Sequence, residues 1–219
     1  MAAEVWLYGS TARGDRDDAS DVDILVAGNG LPDLTAIAAS MPGQLSVSRY
    51  SWEELRQMAS YGSLFLHHIR LEGQPLVETS EKRLQGLLRT LGPYARARRE
   101  LDCFSRVVDD VEQTLGGDHS VPFELSVLAT AARHAAILGC YALGEPDFGR
   151  TSPFRRLLPQ LGYPEPVIEE FADLYTFRRA DDEDRPPELE RSTQDARAYT
   201  AAVRSLILAV RALAERTDG

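Results

Sequence analysis

The chain has 219 residues, of which 43% are hydrophobic and 26% are charged, a composition typical of a soluble globular protein with one or two domains. It has 34 acidic and 24 basic residues, and the net charge of -10 disfavours binding to duplex nucleic acid, because phosphates require a basic surface. Two cysteines, Cys103 and Cys140, are too few for a disulfide framework or a zinc cluster.

No stretch reaches the roughly 18 consecutive apolar residues of a membrane span. Residues 1–10 contain no basic residue and no apolar core of the signal-peptide type. We therefore expect a cytoplasmic protein that does not bind membranes and that functions without processing.

Strand and helix patterns alternate up to about residue 79. Runs of β-branched and aromatic residues predict strands, and apolar residues spaced three to four apart predict helices. Asp33 precedes one helical pattern, and Ser51 begins a capping box with Glu54 at the start of the next. In order, we predict strands over 4–8 and 22–27, a helix after 33, a strand over 44–50, helices from 52 and over 63–72, and a strand over 75–77.

Only helical patterns occur after about residue 80. They run over 83–91, 95–115, 122–143, 153–161, 166–178 and 193–216. The helix over 122–143 is apolar nearly all round, so we expect it at the centre of a bundle. We therefore predict an α+β domain with a small mixed sheet and helices over residues 1–79, and an all-α helical bundle over residues 80–219.

Two short motifs in the first domain suggest a chemistry: Gly-Ser-Thr-Ala-Arg-Gly at 9–14 and Ser-Asp-Val-Asp at 20–23. Gly9 allows a tight turn, and the helix that opens after it offers N–H groups that suit phosphate oxygens, with the Ser10 hydroxyl beside them. Asp21 and Asp23 are two positions apart on a strand and face the same side. Two carboxylates so placed fit a divalent cation such as Mg²⁺, which is commonly shared with substrate phosphates.

These motifs resemble the Gly-Ser and Ser-Asp-x-Asp signature of the polymerase-beta-like nucleotidyltransferases, in particular the minimal nucleotidyltransferases. The resemblance is close over residues 6–26 and compatible with the order of elements to about residue 77. It implies a nucleoside triphosphate, such as ATP, as substrate. It also implies a set of site residues: phosphate binding by Gly9, Ser10, Arg13 and Ser20, and Mg²⁺ binding and catalysis by Asp21 and Asp23.

One carboxylate of the family pattern is missing. The family usually places a third acid on a later strand, where it completes the metal site and helps to deprotonate the acceptor. The corresponding strand is 44–50, in which Leu45 and Val47 face one side while Ser46 and Ser48 face outward, as in a half-buried strand. A hydroxyl is a poor metal ligand and no general base. Either the base comes from elsewhere, for example from an acid of the helical domain, or catalysis is weakened or lost.

The helical half resembles two kinds of companion domain. One is the C-terminal domain of aminoglycoside nucleotidyltransferases, and the other, loosely matched over residues 131–158, is the HEPN-type bundle of toxin-antitoxin pairs. HEPN ribonucleases use an Arg followed four to six residues later by a His, but the nearest segment, 177–184, has no histidine. Ribonuclease activity is therefore disfavoured. The acidic residues at 181–184 are either a solvated loop or a rim that attracts cationic acceptors.

Several other side chains have a structural and a functional interpretation. Arg13 either neutralises phosphate charge or is an exposed helix arginine. His67 and His68 lie in an apolar helical pattern, and we expect one ring to pack and the other to face water rather than a metal site. The loop acids Asp15, Asp17 and Asp18 are expected to be solvated.

The sequence thus predicts an enzyme, an Mg²⁺-dependent nucleotidyltransferase that moves a nucleoside monophosphate, most simply AMP from ATP, to a hydroxyl of a protein or a small molecule. One alternative is an aminoglycoside-type antibiotic adenylyltransferase. The other, suggested by the missing carboxylate, is a catalytically weakened nucleotide-binding module with an antitoxin-like regulatory role. The expected partners are the triphosphate and its acceptor, and the helical domain is the expected surface of a homodimer.

Overall fold

The computed structural model describes residues 3–16, 20–41, 43–115, 121–175 and 193–217. The chain forms two compact units, Met1–Arg96 and Ala97–Gly219. The first unit contains a four-stranded sheet with helices, and the described residues of the second unit form helices and their connections. The predicted fold class, an α+β domain followed by a helical bundle, is confirmed.

The elements of the N-terminal unit follow the predicted order, and each strand matches its predicted range to within one residue. The Ser51 capping box is also confirmed, because the Ser51 hydroxyl accepts a hydrogen bond from the Glu54 amide and the Glu54 carboxylate accepts one from the Ser51 amide. In chain order the elements are β1 (Glu4–Tyr8), α1 (Gly9–Arg13), β2 (Val22–Ala27), α2 (Thr35–Ser40), β3 (Leu45–Tyr50), α3 (Trp52–Ser60), α4 (Leu64–Glu72), β4 (Gln74–Val77) and α5 (Arg83–Arg89).

The sheet has the strand order β3-β2-β1-β4. Strand β1 is antiparallel to both β2 and β4, and β2 is parallel to β3. The register places Tyr8, the last residue of β1, beside Asp23, and it places Ser46 of β3 on the other side of Asp23. Asp23 therefore lies between two neighbouring strands, beside the point where β1 ends.

Helices cover both faces of the sheet, because apolar residues occupy both sides of the alternation in β1 and β2. One face, which includes Ile24, packs against α2, and the opposite face, which includes Leu25, packs against α3, α4 and α5. The expectation that Ser48 faces outward is wrong. Its hydroxyl oxygen lies 3.1 Å from the hydroxyl oxygen of the buried Tyr8, on the face that these three helices cover.

A buried carboxylate of β1 holds α5 in the N-terminal unit. Glu4 is fully buried and accepts hydrogen bonds from the Thr79 hydroxyl (2.7 Å) and from the amides of Arg83 (2.8 Å) and Leu84 (3.2 Å). Both amides belong to the first turn of α5, which its own N-cap residue leaves without a side-chain cap. The compact unit therefore extends past α5, whereas the sequence predicted a boundary at 79/80. That residues 1–79 are a domain in themselves stays a prediction.

The helical unit is arranged around its most apolar helix, as predicted. Helix α7 contacts each of the other four described helices of this unit, and small residues such as Ala132 and Ala135 are fully buried along it. By length and composition α7 could cross a membrane, but 67% of its most apolar window is buried within the protein, as expected at the centre of a bundle. The helices are α6 (Ala97–Thr114), α7 (Val121–Ala142), α8 (Ser152–Gln160), α9 (Glu165–Leu174) and α10 (Thr193–Thr217).

Replacing Glu4 by alanine should lower the free energy of unfolding of the N-terminal unit by about 2 to 4 kcal/mol, because three donors, one buried and two partly buried, lose their acceptor. Glu81→Ala is the matched control, since the Glu81 side chain is 72% exposed and its loss should cost less than about 0.5 kcal/mol. Urea unfolding followed by tryptophan fluorescence reports this unit, because both tryptophans, Trp6 and Trp52, lie in its core. Equal stabilities of the two variants would contradict the capping role of Glu4.

Candidate active site

The turn between β1 and α1 lies directly against Asp23. Gly9 follows Tyr8, the register partner of Asp23, and has a φ of 71°, a conformation that glycine adopts readily. A side-chain carbon at position 9 would overlap the Asp23 carboxylate. Glycine is therefore needed both for the backbone conformation and for the close approach, and the two sequence motifs come together at one end of the sheet.

Helix α1 begins without a side-chain cap. Its N-cap residue, Tyr8, is extended and forms no side-chain hydrogen bond to the first turn. Ser10 is buried, and its carbonyl closes the turn by accepting hydrogen bonds from the amides of Gly14 (3.0 Å) and Asp15 (3.1 Å). First-turn N–H groups of this kind suit the oxygens of an anionic ligand.

Asp21 and Asp23 flank Val22, whose side chain is fully buried in the core on the α2 face of the sheet. Asp21 is exposed immediately before β2, and Asp23 is half-buried as the second residue of the strand. Carboxylate oxygens are the ligands that Mg²⁺ prefers, so the pair fits this ion by donor type. The roles of the two residues as metal ligands and in catalysis stay predictions.

Ser46 lies beside Asp23 on β3, the strand on which the family resemblance predicts a third acid. Within the described ranges, no three His, Cys, Asp or Glu side chains come together as a metal site. Glu54, an acid close to β3 in sequence, is engaged in the capping box of α3. A metal ion held by the Asp21 and Asp23 pair would complete its coordination with water and substrate phosphates.

Arg16 holds the loop between the two motifs. Its Nε and Nη2 donate hydrogen bonds to the carbonyl oxygen of Ser20 at 3.2 and 3.0 Å. Gly43 has a φ of 108° and lies so close that a side-chain carbon there would overlap the Arg16 guanidinium. No sequence pattern predicts this role, because the partner of Arg16 is a backbone carbonyl. Ser20 is buried next to Asp21, and its predicted binding to phosphates is not tested by this arrangement.

Arg13 is neither exposed nor unpaired. Its side chain is 21% exposed, its Nη1 donates to Glu72 at 2.6 Å, and its Nε donates to Asp15 at 3.1 Å. Burial lowers the pKa of the guanidinium, but the hydrogen bonds to Asp15 and Glu72 outweigh burial, so the pKa is raised. The interpretation of Arg13 as an exposed helix arginine is wrong, and its part in phosphate binding stays a prediction.

Aromatic rings surround Tyr8 next to Asp23. The rings of Phe65 and His68 each meet the Tyr8 ring edge-on, with 5.4 Å between centroids. Burial raises the pKa of Tyr8, the hydrogen bond with Ser48 opposes this rise, and the negative charge of Asp23 adds to it. Tyr8 therefore stays neutral beside the Asp23 carboxylate at neutral pH.

Both histidines of α4 are largely buried, so the expectation that one ring faces water is wrong. His67 is 4% exposed, and its Nε2 lies 3.1 Å from the Gly92 carbonyl oxygen. Burial lowers the pKa of His67, and the charge of Arg70 lowers it further. The His68 side chain is 15% exposed, and its Nε2 lies 2.8 Å from the Glu72 carboxylate. Glu72, for which the sequence analysis predicts no role, thus contacts both His68 and Arg13.

Some predicted features lie outside the described residues. They are the loop acids Asp17 and Asp18 and the segment 177–184, which contains the acidic residues 181–184 and lacks the HEPN histidine. The two interpretations of the acidic segment therefore both stay open.

Comparison with known proteins identifies the domain type of the first part of the chain. Residues 2–58, which include both motifs, match the family model of the nucleotidyltransferase domain. The N-terminal unit carries a nucleotidyltransferase domain. The predicted polymerase-beta-like family and the predicted enzyme class, a transferase, are thereby confirmed.

Among solved structures, the chain is similar to the spectinomycin adenyltransferase AAD(9) from Enterococcus faecialis, determined with ATP and spectinomycin. The identity is 12% and the TM-score is 0.48, over 93% of this chain and 90% of that chain. No curated protein matches the chain in sequence. The assignment therefore rests on the family model and on the arrangement of the two motifs.

Gly9→Ala should destabilise the nucleotidyltransferase domain more than the matched variant Gly14→Ala. Both glycines have a positive φ, 71° and 80°, which costs any other residue about 1 to 2 kcal/mol. A methyl group at position 9 would also overlap the Asp23 carboxylate, whereas one at position 14 has nothing within 4 Å. We expect Gly9→Ala to lose about 1 to 3 kcal/mol more in urea unfolding. Equal losses would show that the Asp23 carboxylate turns away from the added methyl group without a measurable cost, and that only the backbone conformation requires glycine at position 9.

Proposed function

We propose that this nucleotidyltransferase transfers a nucleoside monophosphate, most simply AMP from ATP, to a hydroxyl group with loss of pyrophosphate. The observation that carries the proposal is the packing of the Gly9 turn against Asp23, since it brings a phosphate-binding motif and a pair of carboxylates to one end of the sheet. The family model supports the reaction class.

In this proposal each motif residue has a role at one end of the sheet. The N–H groups of the turn at Gly9 and Ser10 bind the phosphates, and Ser20 adds a hydroxyl donor. Asp21 and Asp23 hold Mg²⁺, which when bound neutralises phosphate charge and polarises the phosphoryl group that is attacked. Arg13 contributes to phosphate binding from within the same turn.

We propose a hydroxyl of a protein or of a small molecule as the acceptor. The net charge of -10 favours encounters with cationic molecules, which makes aminoglycosides the first small molecules to test. Cell extract supplies the protein acceptors for the same experiment.

We also propose that the protein acts in the cytoplasm, where its two free cysteines would remain reduced. A homodimer through the helical unit is supported by two large apolar side chains on its surface, Phe123 (57% exposed) and Leu208 (55% exposed). Light scattering measures the mass of the purified protein and tests this proposal. The wild type should have the mass of a dimer, and Leu208→Asp should shift it toward that of a monomer.

A second candidate function is nucleotide binding without transfer, in an antitoxin-like regulatory role. The observation in its favour is Ser46, which lies beside Asp23 where the family usually has an acid. Serine is not a general base at neutral pH, so β3 offers no base beside Asp23 that could deprotonate an acceptor hydroxyl.

Asp21→Asn and Asp23→Asn should each reduce transfer of label from α-labelled ATP by about 100-fold or more, because each removes a negatively charged ligand of the Mg²⁺ that would neutralise the phosphates. The assay contains Mg²⁺ and either aminoglycosides or cell extract. Asp33→Asn is the matched control. Asp33 is exposed and accepts a hydrogen bond from the Thr35 amide at the start of α2. Its transfer rate should equal that of the wild type.

The same samples separate the two functions. If ATP with Mg²⁺ raises the melting temperature but no acceptor is labelled, the binding module is favoured over the enzyme. If neither ATP nor any other nucleoside triphosphate changes the melting temperature, both functions fail.

A further inference from the structure

We infer that Glu72 is a positioning residue for the proposed nucleotidyl transfer. It acts by holding Arg13, so that the turn formed by the short helix α1 stays in place beside Asp23. The inference rests on the proposed function and adds to it a residue outside both sequence motifs. Glu72 is the last residue of α4, far from the turn in sequence.

The contacts of Glu72 converge on a single oxygen. Its Oε2 accepts a hydrogen bond from Arg13 Nη1 at 2.6 Å and lies 2.8 Å from His68 Nε2. The Glu72 side chain is 8% exposed, so water competes weakly for this carboxylate. Arg13 is thereby attached to α4 from one side and to Asp15 from the other.

A second contact ties the same turn to the same part of the fold. Gln74, the first residue of β4, donates from Nε2 to the Ala12 carbonyl oxygen at 2.8 Å. Helix α4 is itself fixed in the core by Leu66 and Ile69, which are fully buried. The turn is therefore held by two contacts, a largely buried one to the end of α4 and an exposed one to the start of β4, each with a residue about 60 positions further along the chain.

A five-residue helix needs such support. Helix α1 is much shorter than the roughly 12 to 15 residues at which isolated helices become stable, so its orientation depends on tertiary contacts. The single positive charge of Arg13 is already opposed by two carboxylates, those of Glu72 and Asp15. We therefore infer that Arg13 contributes to phosphate binding by attaching α1 to Glu72, rather than as an unpaired cation that meets the phosphates itself.

The role of Glu72 is tested by a double-mutant cycle of Glu72→Gln and Arg13→Ala in the full-length protein. Each single variant should raise the KM for ATP about 10-fold. Loss of the contact between Glu72 and Arg13 lets the turn move, and even about 1 Å of movement displaces the N–H groups that bind the phosphates. Glu72→Gln in the Arg13→Ala background should add less than about 2-fold, since the two residues act through one contact. The KM for the acceptor should stay within about 2-fold of the wild type in all variants, which a general loss of structure would not allow.

Two further variants complete the test. Arg13→Lys keeps a cation within reach of Glu72 and should retain more ATP affinity than Arg13→Ala, which keeps the inference testable if Glu72→Gln does not fold. Glu81→Gln is the charge-matched control on the same unit, and its KM for ATP should equal that of the wild type because its side chain is 72% exposed.

The outcomes distinguish this inference from the proposed function. Additive effects of Glu72→Gln and Arg13→Ala, or a normal KM for ATP in Glu72→Gln, would overturn the role of Glu72 while leaving nucleotidyl transfer intact. A wild-type protein that neither binds nor transfers nucleotide would overturn the proposed function, and the role of Glu72 with it.

Discussion

The proposed site depends first on the approach of residue 9 to Asp23. Antiparallel pairing of β1 with β2 sets Tyr8 beside Asp23, so the chain has to turn immediately next to the carboxylate. A side chain at position 9 would push either the turn or the carboxylate away, and the φ of 71° would be strained in any other residue. Strand register and one glycine therefore bring the amides of α1 and the oxygens of Asp23 to the same end of the sheet.

Two largely buried carboxylates hold other elements of the N-terminal unit: Glu72 lies next to the Gly9 turn, and Glu4 lies at the opposite end of β1 from Asp23. Glu4 holds the first turn of α5, and Glu72 holds Arg13 and His68. A buried carboxylate without donors would cost several kcal/mol, so each of these acids constrains where its partners lie. The excess of acidic residues thus includes at least two with defined structural roles, in addition to the proposed metal ligands and the exposed acids.

Local sequence patterns predicted the strands, the Ser51 capping box and the two motifs, because each depends on residues that are close together in the chain. The errors arise from contacts between distant residues. Ser48 bonds to Tyr8 across 40 positions, and Arg13 bonds to Glu72 across 59, and no spacing rule identifies such partners. For Glu4 a signal was available, since an acid within the apolar strand of residues 4–8 has to find buried donors. Glu72 had no comparable signal, because a glutamate at the end of a helix is ordinarily solvated.

The serine at position 46 affects nucleotide binding and nucleotidyl transfer differently. Binding a nucleotide with its metal ion needs oxygen ligands, and Asp21, Asp23, water and the phosphates are enough for an ion that commonly uses one or two carboxylates. Transfer to a hydroxyl also needs a base, and the residue beside Asp23 on β3 does not provide one. In the described N-terminal unit, the contacts that shape the site therefore favour the binding of phosphates and metal more directly than they favour deprotonation of the acceptor. In the proposed function, the affinity for nucleotide is accordingly set by the turn and its contact with Glu72, while the rate of transfer depends on a base outside β3.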